Sequence, residues 1–191
     1  SPSHFFEFDG VTLTETPTVP NSPDDPSFVG TMLMLPTGQV LYTDQSPDVE
    51  VYTPAGAPLE AWRPTVTACP NTVAPGMKFL LKGTQLNGLS QCCAYGDDSS
   101  NATNYPIVRV TNLGTGHVQY ARTHDHSTMA VATGSAIVST HVDLPVGLVL
   151  GPSILEVVAN GIPSTPVQIV VSAKLVSGHV TLQDFVASPA G

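Results

Sequence analysis

Short runs of alternating apolar and polar residues recur through the whole chain, and none extends to the length of a helix. "HFFEFDG" (4–10) alternates and closes on an Asp-Gly pair, and "VTLTETP" follows it, which predicts a tight hairpin. The Pro/Asp loop "PTVPNSPDDPS" (17–27) interrupts the pattern. "FVGTMLMLP", the turn "TGQ", "VLYTD" and "DVEVYTP" then predict three short strands in quick succession. Phe6, Phe8, Met32, Met34, Val49 and Val51 are the expected buried positions of this meander, which occupies residues 1–53.

A Pro/Ala-rich joint, "TPAGAPLEAWRP", places a linker at residues 54–64. Beyond it, "TVTACP", "MKFLLKGTQL", "IVRVTN", "HVQYARTH", "AIVSTHVDLP", "SILEVVANG" and "VQIVVS" read as strands separated by regular turn residues. About seven strands over roughly 100 residues is what an immunoglobulin-like antiparallel sandwich requires, and residues 65–171 are assigned to one. The tail, 172–191, has room for one more strand at "HVTLQDF". In the first segment, "LMLPTGQVLYT" has the strand–turn–strand form of a propeller blade. Only one such unit occurs, so the chain is not a whole propeller. The expected fold is therefore all-β: an immunoglobulin-like antiparallel sandwich preceded by a propeller-blade-like β-meander.

Composition narrows the function. Charged residues are 11% of the chain, against 18 prolines and 16 glycines. Six Lys/Arg face fifteen Asp/Glu, for a formal charge of −9. No Lys/Arg cluster exists to neutralise phosphates, which argues against nucleic acid and anionic lipid as partners. The longest apolar runs, "VGLVLG" and "VQIVV", are too short to insert across a bilayer. Three cysteines point to an oxidising compartment, secreted or cell-surface, with Cys69 bridged to Cys92 or Cys93. A bridge between the adjacent Cys92 and Cys93 is disfavoured by strain, and three cysteines at this spacing make a poor zinc site.

Two stretches carry candidate chemistry. In "YARTHDHSTM", His124 and His126 would point to one face of a continuous strand and Asp125 to the other. With His141 on a nearby strand, His124 and His126 could share a transition metal. The alternatives are acid/base catalysis and a hydrogen-bonded network with Ser127 and Thr128. In "YGDDSSNATNYP" (95–106), Asp97, Asp98, Asn101 and Asn104 offer the hard oxygens that calcium prefers, though without an EF-hand pattern. The same residues also make Asx-turns. Asn101-Ala102-Thr103 is a glycosylation sequon, meaningful in a eukaryotic secreted protein. No catalytic residue is assigned, since no nucleophile setting of the "GxSxG" type appears.

Four stretches carry a resemblance: "LMLPTGQV", the joint "WRPTVT", "ARTHDHSTM", and "LPVGLVLGPSILEVVANGIPSTPVQIVV". From about Phe28 to Val171 the chain resembles the end of the galactose oxidase and glyoxal oxidase family, a last Kelch propeller blade followed by an immunoglobulin-like domain of the E-set, IPT/TIG-like kind. The resemblance implies that a loop of the last domain supplies a copper-binding histidine, with His124 the first candidate and His126 the second. It also implies a Tyr-His pair just before the blade strand, where this chain has Phe28 and Val29. Fold and activity are separable. Two functions are therefore carried forward. One is a non-catalytic extracellular β-module for binding or assembly, with a protein partner or self-association through residues 1–53 and carbohydrate as a candidate ligand. The other is the C-terminal fragment of a propeller enzyme whose catalytic residues lie mostly upstream.

Overall fold

The computed structural model describes residues 2–90 and 105–173. The protein is all-β, with three sheets among the described residues. A hairpin pairs β1 (Phe6–Phe8) with β2 (Leu13–Glu15). A meander joins β3 (Thr31–Met34), β4 (Val40–Thr43) and β5 (Glu50–Tyr52). The remaining strands form one nine-stranded sheet: β6 (Thr65–Ala68), β7 (Thr72–Val73), β8 (Lys78–Thr84), β9 (Ile107–Asn112), β10 (Val118–His124), β11 (Val138–Asp143), β12 (Gly151–Ala159), β13 (Ile162–Pro163) and β14 (Val167–Val171). Its order is β6-β8-β11-β10-β9-β12-β14-β7, with β13 paired to β12. All seven strands expected of the large domain are present, and the two-residue β7 and β13 are additions that no alternation in the sequence marks.

The large sheet curls into a half-barrel because β10 belongs to both of its halves. Val118–Ala121 pair with β9, whereas Arg122–His124 leave it and pair with β11. Where the strands part, the Thr123 hydroxyl donates to the Pro106 carbonyl, replacing a lost ladder bond with a side-chain one. The curl brings the alternate residues of both halves into one core, with Phe79 and Leu81 from β8, Val142 from β11, Val108 and Val110 from β9, and Leu155 and Val157 from β12. Strand periodicity explains this selection, since Leu80 and Lys82 point outward between buried neighbours.

The second half of β12 is buried on both faces. Glu156 on its outer face is matched by Arg109, whose Nη2 lies 2.8 Å from Oε2. Val158, further along the same face, shares a small cleft with Met34, Leu35 and Pro36 of the β3–β4 turn. There Gly38 and Gly161 meet backbone to backbone. Arg63 fixes the joint, donating from Nη1 to the Pro163 carbonyl and from Nε to Glu60, both at 2.8 Å. Among the described residues no helix is long and apolar enough to cross a membrane.

The N-terminal meander corrects the expected burial. Phe6, Phe8, Met32, Val49 and Val51 are exposed, and Met34 is only partly covered. The inward residues are Phe5 and Glu7, of the opposite strand phase. The Phe5 ring meets Tyr42 edge-on at 4.9 Å, and Glu7 accepts a hydrogen bond from the Tyr52 hydroxyl at 2.9 Å. In the hairpin the Asp-Gly turn forms as expected, with Asp9 Oδ1 accepting from the Val11 and Thr12 amides. The possible tail strand, "HVTLQDF", lies outside the described residues.

A methyl group at Gly161 would stand 2.6 Å from the Gly38 Cα, on a residue whose φ is +75°. Gly161→Ala is therefore expected to destabilise the protein by about 2–3 kcal/mol, adding overpacking to the left-handed penalty. Gly116→Ala, at φ +71° with nothing within 4 Å, should cost only about 1 kcal/mol. Equal losses for the two variants in urea denaturation would show that the turn-to-turn contact contributes nothing.

Candidate functional site

The His-Asp-His stretch sits where β10 ends. Asp125 takes a left-handed conformation, φ +48°, so the strand stops at His124 and His126 turns away from its face. A short polar side chain tolerates this geometry better than most. The chain then rejoins β11 through the Ser127 amide, which donates to the Ser139 carbonyl at 2.9 Å. The continuous strand expected through His126 is thus corrected, and with it the shared face of His124 and His126.

His124 lies between two carboxylates. Nδ1 is 2.8 Å from Asp125 Oδ2, and Nε2 is 3.1 Å from Asp143 Oδ1. Both nitrogens can donate at once only in the imidazolium form. Asp143 also accepts from Lys78 Nζ at 3.1 Å, giving a chain Asp125–His124–Asp143–Lys78. Register places His124 opposite His141, and the two rings stack at 5.6 Å with 19° between planes. Hydrogen bonding to Asp143 first, and to Asp125 second, raises the His124 pKa above its ordinary value. His124 holds Asp125 below the usual carboxylate range, and His124 with Lys78 does the same for Asp143.

His126 is kept apart from that chain. Its Nδ1 lies 2.9 Å from Thr140 Oγ1, and its ring stacks on Tyr105 at 6.2 Å. The Thr140 hydroxyl has backbone carbonyls of His124 and His141 as acceptors at 3.2 Å, which makes His126 Nδ1–H the donor. Burial, followed by the charge on His124, pushes the His126 pKa down. The three candidate metal ligands are therefore divided: His124 and His141 stack, with both nitrogens of His124 engaged, while His126 serves Thr140. Among the described residues no group of three His, Cys, Asp or Glu side chains is arranged to hold a metal ion. Thr140, the hydroxyl paired with an imidazole, is fully buried and out of reach of a substrate.

Beside this cluster, an open groove of about 720 Å³ follows the point where β10 leaves β9. Tyr105, Tyr120, Arg122 and His126 face it, with Pro36 and Ile107 as apolar wall. A second groove, about 890 Å³, runs between the meander and the β12–β13 turn and is lined in part by Phe8, Met34, Trp62, Arg63 and Asn160. Both present aromatic surface beside polar groups, an arrangement suited to holding a ligand. Tyr105, Tyr120, Arg122, Asp143 and Lys78 had no signal in the sequence as site residues, because only the cross-strand register brings them together.

Of the other expected sites, Cys69 carries a free thiol, half-buried against the core, and burial raises its pKa. Cys92, Cys93, Asp97, Asp98, Asn101 and Asn104 lie outside the described residues. A further acidic cluster sits under Tyr42. Asp44 accepts from the Asn21 side chain and the Ser46 amide, both at 3.0 Å, and is held far below the carboxylate range. Burial, then Asp44, raises Asp25, whose Oδ2 finds no donor among the described residues. No protein-family model matches the chain, and no curated protein matches it.

The two histidines respond to pH with opposite sign. His124, raised above 6.5, stabilises the fold fully below about pH 6.5, and this is lost as pH rises through its folded value. Asp125 and Asp143, lowered from 3.8, contribute above about pH 4 and lose their effect as pH falls through their folded values. The clamp is therefore most effective between about pH 4 and 6.5. The depressed His126 acts the other way, its contribution being lost as pH falls. Histidine titration by NMR should place His124 above 6.5 and His126 below it, with Asp143→Asn lowering His124 more than Asp125→Asn does. A His124 that titrates at or below His126 would overturn the clamp.

Proposed function

We propose that the protein is a non-catalytic, secreted or cell-surface β-module that works by binding and assembly, with residues 1–53 as its main interaction surface. The curled sheet is read as the immunoglobulin-like sandwich and the three-stranded meander as the blade-like unit. One observation carries this reading: of the 22 large apolar side chains that remain exposed among the described residues, nine fall in residues 6–51. Exposed apolar residues gathered on a sheet face, as Phe6, Phe8 and Leu13 are, are a usual mark of an interaction site. β3 and β5 also leave their outer edges unpaired among the described residues, open to strand addition. The doubly clamped His124 supports a structural role for the His-Asp-His stretch. The two aromatic grooves leave carbohydrate as a second class of ligand.

A second reading, the C-terminal fragment of a galactose oxidase-like propeller enzyme, is favoured by where the exposed apolar groups lie. Register puts Phe6, Phe8 and Leu13 on one face of the hairpin. Leu33, Leu41 and Val51 lie in line across the meander, on the face opposite Tyr42. Apolar faces on two sides suit a blade held between neighbours. In that reading Phe28 and Val29 still stand where a copper-ligating pair is implied, so the remaining ligands and the chemistry belong to missing blades.

Sedimentation velocity of the intact chain at micromolar concentration tests the first reading. Self-association is expected, and Phe8→Ser should shift it toward monomer by about tenfold in Kd, the effect of removing one central aromatic anchor. Monomers at about 100 μM for both proteins, in the concentration range of weak encounters, would overturn self-association through residues 1–53. In either reading the copper-loaded chain should produce no hydrogen peroxide from galactose, glyoxal or simple alcohols, and peroxide production would contradict both.

A further inference from the structure

The formal charge of −9 is not spread evenly. Residues 1–62 hold nine of the fifteen Asp/Glu and none of the six Lys/Arg, which begin at Arg63. The hairpin, with Phe6, Phe8, Val11 and Leu13 exposed, is therefore set in a unit without a Lys or Arg. Phe6, Phe8 and Leu13 are 54%, 64% and 66% exposed on one face, with Glu15 opposite Phe6 and Asp9 at the turn. Within that unit only an imidazole, His4, meets this face, with Nδ1 2.6 Å from Glu15 Oε1, and no Lys or Arg does.

The complementary surface exists on the large sheet. Along the outward face of β8, Leu80 is 40% exposed between Lys78 and Lys82. Register sets His141 and then His124 beside Leu80, and Asp143 and then Arg122 beside Lys78. Lys78 is engaged by Asp143, whereas Lys82 and Arg122 have no ion-pair or hydrogen-bond partner among the described residues. An apolar centre among Lys78, Lys82 and Arg122 thus matches an apolar centre in a unit that has carboxylates and no Lys or Arg, although Glu15 is already met by His4 at 2.6 Å and Asp9 by the Val11 and Thr12 amides. Two sheet faces of this kind pack at about 10 Å.

We infer that the partner of the N-terminal hairpin is a second copy of this chain, docking its acidic apolar face on the cationic β8–β11–β10 face. The inference rests on the assembly reading above and names its partner. The two surfaces differ, so the contact is heterologous, and repetition gives an open head-to-tail chain unless the rotation closes. Exposed ion pairs of this sort contribute little affinity but set encounter rate and partner choice. The apolar residues hold the complex, and the charges decide what they meet.

Two kinds of variant separate this inference from the reading beneath it. Phe8→Ser disables the hairpin face, and Lys82→Glu with Arg122→Gln removes the cationic one at two exposed positions, the neutral glutamine sparing Asp143 a like charge across the strands. Each protein alone should be monomeric by sedimentation, with unchanged circular dichroism. Mixed, they should form a 1:1 complex, because the intact hairpin of one meets the intact sheet face of the other. Association of the unaltered chain should weaken about tenfold between 50 and 300 mM salt, as screening of exposed charges requires. If Phe8→Ser is monomeric while the double charge variant associates as well as the unaltered chain, the assembly reading survives and the second-copy docking falls. A self-limiting two-fold dimer, or an unaltered chain that stays monomeric, also overturns it.

Discussion

One strand shared between two half-sheets governs the large domain. If β10 paired with β9 along its full length, the sheet would run on flat and its two halves could not face each other across a core. Because it changes partner at Arg122, alternate residues of β8, β11, β9 and β12 converge, and Val108, Leu81, Val142 and Leu155 are all excluded from water. Burying such side chains contributes about 1.5–3 kcal/mol each, which makes the strand switch the step on which the fold depends. The same switch opens the groove beside Tyr105 and Tyr120, since a strand that leaves its neighbour leaves a gap. It also fixes His124 opposite His141 and within reach of Asp143. Core, groove and histidine cluster thus share one geometric origin.

The sequence made the strands legible because alternation is a local property. "MKFLLKGTQL" and "IVRVTN" declare which residues are inward by period alone, and the core follows them. What failed was information of longer range. Phe6 and Phe8 alternate as well as any buried pair, yet the face that packs is set by Phe5 meeting Tyr42 and Glu7 meeting Tyr52, from strands 37 and 45 residues away. The choice between two phases of a short strand is made by its neighbours, and a one-residue change of phase exchanges every side chain. "THDHS" was misread for a different reason: one left-handed residue, Asp125, ends the strand inside the motif.

The histidine cluster shows why residue type alone is a weak guide to chemistry. A metal ligand needs a free lone pair, and a general base needs access to a substrate. His124 offers both nitrogens to carboxylates, and those carboxylates are steadied in turn by Lys78. The His124 ring stacks on a second imidazole, His141, and the two carboxylates that flank it favour its protonated form. His126, lowered by burial, takes a neutral role beside Thr140. Two histidines two residues apart are therefore shifted in opposite directions, separated by a single turn of backbone.

Acidity poses a separate problem for the N-terminal unit. Nine carboxylates without one Lys or Arg would repel one another in a compact body, and its two small sheets bury few side chains to offset that. Part of the repulsion is removed internally: Asn21 and Ser46 hold the Asp44 charge, and the Asp25 carboxyl is shifted toward its neutral form. The unit is otherwise anchored through contacts that carry little charge, the Gly38–Gly161 approach and the cleft around Val158. Arg63, the first cation along the chain, stands at the junction, bound to Glu60 on one side and to a carbonyl of β13 on the other. The attachment of the acidic unit is thereby largely insensitive to salt, whereas its outward face remains charged and apolar. A unit held from behind by neutral packing and left unsatisfied in front has the physical character of a docking element, because its interior contacts need not change when its exposed face is covered.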